Sequence, residues 1–329
     1  MKIRGLAIIC DRDAFRNRDW FLNNVVLPGG YTHLVAGLSY RFQRRPELSR
    51  LKGEFETCVP LERNELVELQ CCVKQSGVDF IPLIPLWGYN LITPVHPELA
   101  ENPAVPKAYC PRNPATRALV GDMLDEIIEL LRPQYLHVGL DEINESHLPY
   151  DNYKSVDQIG VCSLCRADTP ADVFAEEVNR LNRYLRDKRC TMMMWGDQLL
   201  NAPDFFDVYE RDGNYGEYTY QAADKIDKDV LICDWHYGEH SRYPSIDYFV
   251  RKGFRVLGCP SVYNSGNITG FTDYVGKKGN RAQLPGMLMT FWGKAALRSE
   301  AENDFRYGFV DDRKNLEALL LAGRCFQGK

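Results

Sequence analysis

Asp141 and Glu142 are adjacent carboxylic acids that end the apolar run "YLHVGL" (Tyr135 to Leu140), with no basic residue beside them. Two acids do acid–base work when their surroundings and their mutual repulsion drive their pKa values apart. The usual glycosidase sets its two carboxyls on opposite sides of the scissile bond, roughly 5 to 10 Å apart. Neighbours on one strand are badly placed for that, because successive side chains leave opposite faces. Where the strand ends, both can reach the same side. Such a pair suits a sugar whose own 2-acetamido carbonyl attacks the anomeric carbon. One carboxylate then orients the acetamido group and stabilises the charge on its nitrogen, while the other protonates the leaving oxygen.

The elements that must position this pair are legible as short apolar runs: Ile3 to Cys10, Thr32 to Leu38, Asp79 to Leu86, Tyr135 to Leu140, Thr191 to Trp195, Val230 to Trp235, Phe254 to Cys259 and Gly286 to Trp292. They are continuous rather than alternating, as expected of strands buried on both faces. Helical patterns lie between several of them. Leu66, Leu69 and Val73 precede Gly77, a second pattern runs from Pro114 to Pro133, and Val173, Phe174, Val178, Leu181 and Leu185 follow Pro170. Proline opening a helix and glycine closing it are the expected punctuation. About eight strand–helix alternations without a linker or composition shift predict one α/β domain over residues 1–329, a (β/α)8 TIM barrel.

In such a barrel the chemistry sits at the C-terminal ends of the strands. The residues at those ends are Asp11, Tyr40 with Arg41, Trp87, Asp141 with Glu142, Trp195 with Asp197, Asp234 with Trp235 and His236, Tyr263 with Asn264, and Trp292. Four of the five tryptophans are among them; Trp20 is not. Aromatics are common core residues, but core packing alone does not gather indoles where strand after strand opens into its loop. A rim of indoles around paired carboxylates fits a sugar pocket, with flat apolar faces for the pyranose and polar groups for its hydroxyls. Contact with substrate hydroxyls is the reading for Asp197, Asp234 and His236. His33 and His96 read as structural or surface residues.

A net charge of −5 over 329 residues, 45% of them hydrophobic and 26% charged, describes a globular protein without a basic stripe for nucleic acid or an anionic membrane. No apolar run approaches the length that spans a bilayer. The N-terminal stretch lacks the form of a signal peptide, so a cytoplasmic location is expected. Eleven cysteines, mostly inside apolar segments, read as reduced thiols rather than a disulfide framework.

"HVGLDE" (His137 to Glu142) resembles the H-x-G-x-D-E signature of family 20 glycoside hydrolases, the β-N-acetylhexosaminidases. Further pieces follow in the family's order along most of the chain. "RG" at Arg4 and Gly5 is similar to a first-strand arginine that binds sugar hydroxyls. "SYRFQRRPEL" and "AYCPRNP" are similar to stretches of a bacterial branch. Trp195, Trp235 and Trp292 match indoles lining the acetamido pocket, and Tyr263 a tyrosine that holds the acetamido oxygen. The resemblance implies Glu142 as general acid/base, Asp141 as the acetamido-orienting carboxylate, His137 as a support, no cofactor, and a terminal β-linked N-acetylhexosamine as substrate. The chain departs from the pattern at Leu140, where the family usually has glycine, and at "LWGYN", where many members have a glycine–histidine turn. It also lacks the small α/β domain that commonly precedes the barrel, leaving surface that a second copy could cover as a homodimer.

"CSLC" (Cys162 to Cys165) is half of a zinc site, which Cys110 or His147 could extend. A lone pair of this kind in a loop more often stays unmetallated, so no metal is expected. Two other functions stay open. A divalent-metal aldolase or isomerase would use Asp141, Glu142, Asp197, Asp234 and His236 as ligands. A catalytically silent carbohydrate-binding barrel would keep the indoles and lose the acid geometry at Leu140.

Overall fold

Strands that are apolar on both faces must be covered on both, and a closed barrel wrapped by helices does this without leaving an edge. The computed structural model describes residues 1–49, 57–143, 159–209, 218–297 and 308–328, and in it the eight parallel strands close in sequence order. They are β1 (Ile3–Cys10), β2 (His33–Leu38), β3 (Asp79–Leu86), β4 (Tyr135–Gly139), β5 (Thr191–Trp195), β6 (Leu231–Trp235), β7 (Arg255–Cys259) and β8 (Gly286–Lys294). β1 pairs with both β2 and β8, which closes the ring.

The helices that cover the barrel begin where local chemistry satisfies their first N–H groups. Glu62 and Glu65 form a capping box over the first turn of the helix Arg63–Gln75. Asn113 and Thr169 cap the helices Pro114–Leu131 and Pro170–Asp187, each with proline in its first turn. Among the described residues no helix is long and apolar enough to cross a membrane.

Side-chain alternation divides the core into two layers. Along β6, Leu231, Cys233 and Trp235 face the lumen with Ile3, Ala7, Val35, Leu83, Met193, Leu257 and Leu288, whereas Ile232 joins the larger layer between barrel and helices. Two irregularities lie at the C-terminal end of the barrel. β3 carries Pro82 and Pro85, which cannot donate to a ladder, and its register against β4 slips between Leu83 and Leu86. β8 slips against β1 between Ile8 and Ile9, whose partners are Phe291 and Lys294, so Trp292 and Gly293 sit at a bulge.

Candidate active site

β4 ends in a tight coil of left-handed backbone. Gly139, Leu140 and Glu142 have φ of 71°, 70° and 50°. Glycine adopts this conformation freely, whereas for other residues it costs roughly 1–2 kcal/mol each. Leu140 offsets that cost by burying its side chain completely in the layer between barrel and helices, and its N–H donates to the Leu86 carbonyl at 3.3 Å. The leucine therefore points away from the mouth and leaves the half-buried Asp141 and Glu142 side by side at the strand's end. Gly88 lies directly against this coil: a Cβ there would stand 2.0 Å from the Asp141 carbonyl oxygen. The "LWGYN" segment is thus shaped to support the acids, and Tyr89 within it donates its hydroxyl to Glu142 Oε2.

Asp197 fixes Glu142 from the other side. Its Oδ2 accepts the Glu142 backbone N–H at 2.9 Å and the Gln198 amide at 2.9 Å, and its Oδ1 accepts the Trp235 indole N–H at 3.3 Å. Burial raises the Asp197 pKa to about 6, and those donors oppose the shift.

Around the acids the lumen is aromatic. His137 is fully buried, 4.4 Å from Trp195 between ring centroids, and Trp195 meets Trp292 edge to face at 5.7 Å. The Trp292 indole N–H donates to the Tyr237 hydroxyl oxygen at 2.9 Å. Tyr237 in turn contacts Trp235 at 5.0 Å and Tyr263 at 6.0 Å, with Tyr263 exposed at the rim. His137 Nδ1 accepts the Gly139 N–H at 3.1 Å, and desolvation drives its pKa down to about 3, so the ring is neutral at ordinary pH.

The structure thus gathers Asp141, Glu142, His137, Trp195, Asp197, Trp235, Tyr263 and Trp292, as expected from the sequence. Three other expected contacts are corrected. Arg4 lies at the start of β1, the opposite end of the barrel, where its guanidinium donates to the carbonyls of Gly30 and Met1 at 2.7 and 3.1 Å. Asp234 and His236 have the parity opposite to Trp235, so they point behind the barrel wall. Ser245, in the first turn of the helix Pro244–Arg251, donates to Asp234 at 2.6 Å and lies 3.0 Å from His236 Nε2, which is 3.2 Å from Asp234. Both are 1% exposed. Trp87 also leaves the rim: its φ of 67° turns it outward, where it stacks on Tyr109 and Phe174. Tyr89, Tyr237 and Gln198 were missed. Tyr237 was legible, because it stands two residues beyond Trp235 and shares its face.

A second cluster stands beside the barrel mouth. Cys110, Cys162, Cys165 and Glu101 bring their sulfur and carboxylate atoms within 4.8 Å of one another. Cys110 Sγ is 3.4 Å from Cys162 Sγ and 3.8 Å from Cys165 Sγ. His147 falls outside the described residues.

A parallel barrel with neighbouring acids at the end of its fourth strand, under an aromatic lumen, has the layout of a sugar-cleaving enzyme. The chain belongs to glycosyl hydrolase family 20: residues 92–264, just over half of it, match that family's catalytic domain. The match includes Asp141, Glu142, Trp195, Asp197, Trp235 and Tyr263. The chain is 28% identical over 133 residues to lacto-N-biosidase of Bifidobacterium bifidum, a match covering 38% of this chain and 12% of that protein. The fold is similar to that of a β-N-acetylhexosaminidase from Bacteroides fragilis (TM-score 0.68, 14% identity), covering 99% of this chain and 66% of the other. It is also similar to dispersin B (TM-score 0.61, 14% identity), with full coverage of both chains.

Proposed function

We propose that the protein is an exo-acting β-N-acetylhexosaminidase that removes terminal β-linked N-acetylglucosamine or N-acetylgalactosamine with retention of configuration. The observation that carries this reading is the Asp141–Glu142 adjacency, with Glu142 anchored through its backbone to Asp197 and both acids beside an indole-lined lumen. Consecutive acids at one strand end do not face each other across the scissile bond, and the reading therefore has the substrate supply the nucleophile. Its acetamido carbonyl oxygen bonds to the anomeric carbon as the glycosidic bond breaks, and Glu142 gives its proton to the departing oxygen. Asp141 accepts the acetamido N–H and stabilises the positive charge on the cyclic oxazolinium. Glu142, now a carboxylate, takes a proton from the water that reopens the ring. Trp195, Trp235 and Trp292 enclose the acetamido methyl, excluding water and raising the electrostatic value of Asp141.

A cytoplasmic location belongs to the same proposal, supported by eleven free cysteines. The test compares 4-nitrophenyl N-acetyl-β-glucosaminide and N-acetyl-β-galactosaminide with the plain β-glucoside. The expected result is turnover of an N-acetylated substrate, little turnover of the glucoside, and loss of activity in Glu142→Gln on a poor leaving group. Equal turnover of all three substrates would overturn the reading.

A further inference from the structure

We propose that Cys110, Cys162, Cys165 and Glu101 hold a structural zinc ion that clamps two catalytic-face loops together. Zinc takes thiolates at about 2.3 Å in a tetrahedron, which sets sulfurs roughly 3.8 Å apart. The Cys110 sulfur lies 3.4 and 3.8 Å from its two partners, so the tetrahedral edge already exists. A disulfide needs about 2.05 Å between sulfurs, and all three cysteines are free.

Glu101 is the second, independent sign of a ligand. It is fully buried; its Oε2 accepts the N–H groups of Val161 and Cys162 at 3.2 and 3.1 Å, whereas Oε1 has no hydrogen-bond partner. Apart from the weakly donating Cys165 thiol beside it, this buried carboxylate has no donor for its second oxygen, an arrangement that is costly in the absence of a cation. Oriented by two backbone groups and placed within 4.8 Å of three sulfurs, it completes a four-ligand set with no open position. Such closed sites are structural rather than catalytic.

The positions give the clamp its purpose. Glu101 and Cys110 lie between β3 and the helix Pro114–Leu131, whereas Cys162 and Cys165 lie between β4 and the helix Pro170–Asp187. The clamp therefore ties the turn that carries Cys162 and Cys165 to the loop that follows Tyr89. Arg112 reinforces the same junction by donating to the Leu164 carbonyl at 3.1 Å and to Asp168 at 2.6 Å.

The full chain, purified under reductant from zinc-supplemented medium and passed over a chelating resin, is expected to carry about one zinc per chain by elemental analysis. A mercurial should release that zinc and lower the unfolding temperature, and cobalt exchanged into the same protein should give a thiolate charge-transfer band with tetrahedral ligand-field bands. Cys162→Ser should lose the metal, and Glu101→Gln should weaken it at least tenfold and alter the cobalt spectrum. Cobalt in the unsubstituted chain decides the matter even where a variant fails to fold. The proposal is overturned by a zinc content below a tenth per chain with no cobalt charge-transfer band, by full zinc retention in Cys162→Ser, by an unchanged affinity and spectrum in Glu101→Gln, or by a Cys110–Cys162 disulfide in the reduced preparation.

Discussion

The backbone N–H of Glu142 donates to Asp197 Oδ2 at 2.9 Å, so an acid two residues past the end of β5 sets where the proposed proton donor of β4 stands. Asp197→Ala removes that anchor and the acceptor for Trp235 together. A displacement of about 1 Å at a reacting group can cost 10²-fold. We expect kcat to fall on that order and KM to rise by no more than about 3- to 10-fold through the loosened Trp235, measured by steady-state kinetics on the N-acetylated aryl glycoside. A change confined to KM would remove Asp197 from the positioning of Glu142.

Asp197 and His137 oppose each other in their dependence on pH. Burial raises Asp197 from an ordinary 3.8 to about 6, so the stability it contributes is fully present below pH 3.8 and is lost as pH rises through 6. His137 is depressed from 6.5 to about 3, so its contribution is present above pH 6.5 and is lost as pH falls toward 3, roughly 5 kcal/mol. Between pH 4 and 6 the two slopes partly cancel. Denaturant unfolding across this window should show Asp197→Asn losing stability more steeply than the parent as pH falls, and His137→Asn losing it less steeply. Parallel curves would contradict both assignments.

Gly88→Ala places a methyl group 2.0 Å from the Asp141 carbonyl oxygen, and backbone must move to admit it. Activity should fall by about 10- to 100-fold while the protein folds with a stability loss of roughly 1–3 kcal/mol. Gly121, within the helix Pro114–Leu131, has open space where an added methyl group would stand, with nothing within 4 Å, and serves as the contrast. Gly121→Ala should stabilise by about 0.5–1 kcal/mol and leave kcat unchanged. Unimpaired Gly88→Ala enzyme would show that the acid pair does not rest on this contact.

Tyr237→Phe deletes the acceptor of the Trp292 indole N–H. With Trp292 less firmly oriented, the pocket should bind the N-acetylated substrate more weakly, raising KM by roughly 3- to 10-fold, the worth of about one hydrogen bond. An unchanged KM would separate Trp292 from substrate binding.

The barrel was legible because its strands are continuous apolar runs bounded by capped helices, and expected and observed strand starts agree to within a residue. The acid pair and the lumen-facing indoles followed from the strand ends. Asp234 and His236 were misplaced because a strand end read as a cluster ignores parity: Trp235 faces inward, so its neighbours face out. Arg4 stands at the start of β1, and the two-residue motif Arg4–Gly5 carries no information on which end of its strand it occupies. Leu140 looked obstructive as a residue type, yet its positive φ turns the side chain into the outer layer. Glu101 gave no local signal, since only the folded loops bring it to the cysteines.

The central claim is that the substrate's acetamido oxygen, rather than a protein group or free water, attacks the anomeric carbon. A series of aryl glycosides whose N-acetyl group carries zero, one, two or three fluorines tests it directly, because each fluorine withdraws electrons from that oxygen. With the acetamido oxygen as nucleophile, kcat/KM falls steeply and progressively along the series. A flat series, with the trifluoro compound cleaved as fast as the parent, would contradict it.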